Sequence, residues 1–79
     1  MIKDQKSHAV PALPFAERAI GADLKKARQA ANLTTSELAT KLVMPVSDLV
    51  KIEEGNAPIP KGHVSKVLIA CGLPNDWKP

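Results

Sequence analysis

The sequence predicts an all-α fold of four to five short helices, and three observations carry that expectation. Apolar residues recur at spacings of three and four through most of the chain, which is the period of an amphipathic helix rather than of a strand. These runs are punctuated by helix stop and start signals at Asn32, Thr34, Pro45, Gly55 and Gly72. Aromatic residues are scarce, with Phe15, Trp77 and no tyrosine, so the core falls to Leu, Ile, Val and Ala, which suit packed helices. A chain of 79 residues has room for one small domain.

Residues 1–13 are polar and interrupted by Pro11, and they read as a flexible N-terminal arm ahead of a folded domain over residues 14–79. The first helix is predicted over Phe15–Ala31. Ile20, Leu24, Ala27 and Ala31 share its inward face, Lys25 and Lys26 lie opposite, and Arg28 sits between. Pro14 suits the first turn, where a missing N–H costs nothing, and Asn32 suits a left-handed stop. Gly21 lies inside the pattern and weakens the first turn or two.

"LTTSELATKL" opens the second helix. Thr34 is placed to cap it and Glu37 stands three residues later, the spacing of a capping box. Leu38, Ala39 and Leu42 form its buried stripe. "VMP" ends it, because Pro45 cannot continue a helix and drives Met44 toward an extended conformation. Proline is also well suited to begin a helix, so a third one is predicted to start at Pro45, with Leu49 and Ile52 inward and Gly55 as its left-handed end. Two short helices joined by such a corner make a helix-turn-helix. After the loop "NAPIP", a fourth helix runs from about Lys61 to Cys71 with Val64, Val67, Leu68 and Cys71 on one face. Gly72 stops it, and "LPNDWKP" allows at most one more turn.

The net charge of +3 is a mild basic bias and by itself weak evidence for an anionic partner. Cys71 is the one cysteine, so no internal disulfide can form, and its place on an apolar helix face points to packing. No signal peptide or membrane-spanning run is visible, which predicts a cytoplasmic protein. His8 and His63 have no Cys or His partner at ligand spacing. No nucleophile–base pairing or glycine-rich phosphate loop is visible either. The expectation is no cofactor, no metal and no enzymatic activity.

The segments "NLTTSELATKL" and "VMPVSDLVKIEEG" together resemble the Cro/repressor (XRE-type) helix-turn-helix of phage, plasmid and bacterial transcription regulators. The resemblance runs from about Leu24 to Trp77. Its distinguishing parts are Leu-Thr-x-x-Glu-Leu-Ala-x-x-Leu and the closing Ile-Glu-x-Gly. It implies a compact, lambda-repressor-like domain whose second motif helix enters the DNA major groove. It also implies an ion pair between Arg28 and Glu53, which would explain a carboxylate in a last helical turn, where it opposes the helix dipole.

The same resemblance places Val46, Ser47 and Lys51 on the reading face. Lys51 would bond guanine O6/N7 or a phosphate, and Ser47 either groove edge. Val46 would pack on a thymine methyl or on a partner. Asp48 would accept from cytosine N4 or stand as a solvent-facing first-turn charge. Thr35, Asn56 and Lys61 fall where the family touches phosphate; otherwise they are ordinary surface polarity. Lys25 and Lys26 read as a solubilising face, and Lys3, Lys6 and His8 as part of a basic tail. The chain departs from the pattern at Val43 and Pro45. At Val43 the family usually has glycine, so either the turn changes shape or strain is taken up there. At Pro45 it usually has a capping Ser or Thr.

The function implied is sequence-specific transcription regulation by a repressor that occupies a palindromic double-stranded operator as a homodimer. Ile69, Leu73 and Trp77 are not all needed by one core face and are the candidate dimer contacts. "NDW" resembles the start of the family's fifth helix, and the chain stops soon after it, so a small interface is expected. Such single-domain regulators are typical of mobile elements. The alternative is a protein-binding module, such as an antitoxin or co-regulator, on the same scaffold.

Overall fold

The computed structural model describes residues 13–79, which are all-helical: α1 Phe15–Arg18, α2 Gly21–Ala30, α3 Thr35–Leu42, α4 Val46–Glu53 and α5 His63–Cys71. The N-terminal arm and its candidates Lys3, Lys6 and His8 lie outside the described residues.

The helix predicted over Phe15–Ala31 is two helices, broken at Ala19, which takes a left-handed conformation at φ 50°, ψ 44°. The break serves tertiary packing. Phe15 is fully buried, its backbone N–H donates to the Trp77 carbonyl at 2.9 Å, and α1 packs against α5. A straight helix would carry Phe15 away from that site. Ile20, predicted inward, instead caps α2 from outside the helix and is 40% exposed, while Leu24 and Ala27 turn into the core. Across the corner, Arg18 Nε lies 3.0 Å from Oδ2 of buried Asp23, within ion-pair range but off the line of a hydrogen bond.

Gly21 explains why α2 begins where it does. A Cβ at this position would stand 1.7 Å from the carbonyl oxygen of Ile52. The bare glycine backbone therefore lets α2 start directly against the end of α4.

Thr34 and Glu37 form the predicted capping box: the Thr34 hydroxyl accepts from the Glu37 N–H at 3.1 Å, and the Glu37 carboxylate accepts from the Thr34 N–H at 2.8 Å. These bonds hold the Glu37 carboxyl below its usual pKa, the backbone bond to Thr34 contributing most. Pro45 is the residue before α4 rather than its first, at φ −62° and ψ 143°, and supplies no side-chain cap.

Four helices end the same way. The N–H groups after α2, α3, α4 and α5 fold back in paired bonds: Asn32 to Gln29 and Leu33 to Arg28, Val43 to Thr40 and Met44 to Ala39, Gly55 to Ile52 and Asn56 to Lys51, Gly72 to Ile69 and Leu73 to Leu68. This is the Schellman pattern, and it demands a left-handed residue. Asn32, Gly55 and Gly72 meet that demand easily. Val43 meets it with strain, at φ 56° and ψ 53°. The turn keeps its shape, and a β-branched residue absorbs the cost, about 1–2 kcal/mol for a left-handed L-residue.

The core joins Phe15, Leu24, Ala27, Leu38, Leu49 and Leu68 with their neighbours on every helix. α4 and α5 each pack on both α2 and α3, with no comparable packing between themselves. No helix among the described residues is long and apolar enough to cross a membrane.

Candidate nucleic-acid interface

α4 has two faces with different duties. Leu49 and Ile52 are buried and fix the helix to the core. Val46, Ser47, Asp48 and Lys51 point outward and are exposed, Val46 at 41%; Val50 is half-buried. Asp48 in the first turn and Lys51 in the last both suit the helix dipole.

Glu53, also in the last turn, does not, and Arg28 offsets it. The Arg28 guanidinium donates through Nε to Glu53 Oε2 at 2.7 Å and through Nη2 to Oε1 at 3.0 Å, a two-pronged fork. Its Nη1 donates to the Leu33 carbonyl at 3.0 Å. The side chains are 14% and 6% exposed, so little water competes. The bond to Glu53 raises the Arg28 pKa above its already high value, against the opposing effect of burial. One guanidinium thus ties α2, the loop before α3 and the end of α4 into a single frame. Glu54 is exposed and accepts a long contact from Asn56 Nδ2 at 3.4 Å.

Thr35 is the first residue of α3 and is half-buried. Asn56 and Lys61 are exposed on either side of the "NAPIP" loop, Lys61 in the turn leading into α5. The loop folds toward α4. Asp48 and Lys51 line a slot of about 160 Å³ together with Met44, Ala57, Pro58 and Pro60. Sequence reasoning placed Asp48 and Lys51 but not the apolar wall beside them. The proline-rich loop was the available signal, yet nothing local says which way such a loop folds.

Of the candidate dimer residues, only Ile69 stands free, at 77% exposure. Trp77 and Leu73 are half-buried and pack on the core. The Trp77 ring meets Phe15 edge-on, with centroids 6.2 Å apart and planes at 69°. Cys71 is buried, and burial pushes its thiol pKa up, which keeps it protonated and unreactive. Among the described residues no three of His, Cys, Asp and Glu cluster as metal ligands.

A family model described as a transcription regulator-like HTH domain matches residues 11–69, from before α1 to within α5. No curated protein and no solved structure matches the chain.

Proposed function

The chain belongs to the transcription regulator-like HTH domain family, and from that premise we propose that it is a sequence-specific DNA-binding repressor acting on a palindromic operator. The observation that carries this reading is α4, a short helix anchored by Leu49 and Ile52, locked by the Arg28–Glu53 fork and presenting Val46, Ser47, Asp48 and Lys51 to the outside. A rigid helix with a free polar face is what major-groove reading requires. Lys51 and Ser47 supply hydrogen bonds to base edges, and Val46 supplies apolar contact for a thymine methyl. Thr35, Asn56 and Lys61 hold the flanking phosphates, and Asp48 disfavours acceptor-rich base edges. The narrower Cro/repressor assignment rests on the two quoted segments and on the Arg28–Glu53 pair. Repression follows from occupancy, without catalysis.

Two copies bind the two halves of the operator. Leu73 and Trp77 are partly committed inside their own chain, so the pairing is weak in free solution and is completed on DNA.

Selection of binding sites from a random duplex library tests this. The expected outcome is an enriched inverted repeat with half-sites about one helical turn apart. On that operator, Lys51→Ala relaxes base preference, whereas Lys61→Ala weakens all sequences alike and shallows the salt dependence by about 0.9 log units per decade of salt. If both variants bind as the parent does, the reading face is wrongly assigned. Exposed Val46 beside Asp48 favours a second reading, a protein-binding module on the same scaffold. Enrichment of no sequence at low salt would select it.

A further inference from the structure

We infer that the outward groove between α3 and α5, built on Ile69 between Lys41 and Lys66, is a docking surface for an acidic segment of another protein with one large apolar anchor. Ile69 is 77% exposed in the last turn of α5, where a residue of this kind has no solubility role. Lys66 precedes it by three residues, so the two side chains are neighbours on one face. Lys41, in the last turn of α3, closes the other wall, and Ala70 forms the floor of an open groove of about 400 Å³. Both lysines are exposed, and neither joins an ion pair among the described residues.

An apolar anchor flanked by two positive charges selects its occupant by charge. A helix or extended segment with Leu, Ile or Phe between Asp or Glu residues satisfies both parts of the groove. A second copy of this chain does not. A two-fold interface brings the same patch onto itself, so pairing through Ile69 sets lysines against lysines. Duplex DNA offers phosphate charge, but along its backbone nothing apolar to seat on Ile69. No residue that lines this groove lies on α4 or lines the slot beside it, so a partner can dock here without using the α4 face. The surface is small, and the contact belongs to the weak, exchanging class.

The inference does not depend on the DNA reading, and one experiment separates them. The folded protein is immobilised and challenged with a random peptide library displayed on phage. Selection is expected to enrich Leu, Ile or Phe flanked by Asp and Glu. The Lys41→Glu/Lys66→Glu double variant is expected to reverse the enrichment to Lys- and Arg-flanked anchors. Ile69→Ser is expected to weaken the enriched peptide by about tenfold or more, equivalent to about 1.4 kcal/mol per tenfold. All substituted positions are exposed, so circular dichroism and the urea midpoint check that each variant folds. The inference is overturned by peptides without acidic bias or by undiminished binding to Ile69→Ser. It is equally overturned if duplex DNA displaces the peptide, or if sedimentation equilibrium finds a dimer that Ile69→Ser dissolves. Site selection on duplex DNA with the parent protein reports independently on the DNA reading.

Discussion

Val43 is the residue at which local preference and required geometry conflict most openly. Its left-handed backbone is imposed by the paired bonds that end α3, and its side chain is 90% exposed, so no packing is gained in return. Val43→Gly removes about 1–2 kcal/mol of left-handed strain and adds back about 0.5–1 kcal/mol of glycine chain entropy. The expected net is roughly 0.5–1 kcal/mol of stabilisation, a rise in thermal midpoint of roughly 2–8 °C for a domain of this size. A lower midpoint would show that the turn depends on the valine side chain. Arg28 is the opposite case, a residue whose three guanidinium nitrogens each donate a hydrogen bond. Lysine keeps the charge but cannot reproduce a fork that reaches Glu53 and Leu33 at once.

At the scale of elements, the start of α3 is the most self-contained piece. Its capping box lowers the folded-state pKa of Glu37, so the cap contributes stability above the usual value of 4.5 and loses it as pH falls through the lower folded value. Urea midpoints measured from pH 6 to pH 3 are expected to fall more steeply for the parent than for Glu37→Gln, which keeps a side-chain acceptor but not the charge. Parallel curves would remove the carboxylate from the account. The junction of α2 with α4 is the least self-contained piece. Gly21→Ala drives a methyl into the Ile52 carbonyl, which belongs to the rigid backbone of α4. Overpacking of this kind costs about 1–3 kcal/mol or more. Denaturant unfolding is expected to show that loss, and operator affinity is expected to fall with it because the end of α4 must shift.

At the scale of the whole molecule, the two ends of the described chain are tied together. Phe15 and Trp77 meet through one backbone hydrogen bond and an edge-on ring contact, and α1 also packs on α5. Trp77→Ala is expected to cost roughly 2 kcal/mol, less than a fully buried tryptophan because the ring is half-exposed. Operator preference among folded molecules should remain unchanged, since the strap adds no residue to the exposed α4 face. A change in the selected site would mean that the strap positions α4.

Much of the fold was legible because the chain specifies it locally. The Thr34–Glu37 box, the left-handed stops at Asn32, Gly55 and Gly72, and the proline before α4 each act within a few residues, so their chemistry is written in the order of the amino acids. The buried stripe of Leu38, Ala39, Leu42, Leu49 and Ile52 is likewise a matter of period. Tertiary structure decided what no local signal contains. It broke the predicted first helix at Ala19, because burial of Phe15 against Trp77 outweighs continued helical hydrogen bonding. It kept Val43 left-handed, because the α3–α4 corner is fixed by packing on both sides. It turned Trp77 inward and left Ile69 between two lysines. Helix ends obey short-range hydrogen bonding and steric rules, whereas the fate of an apolar side chain depends on which distant surface reaches it first.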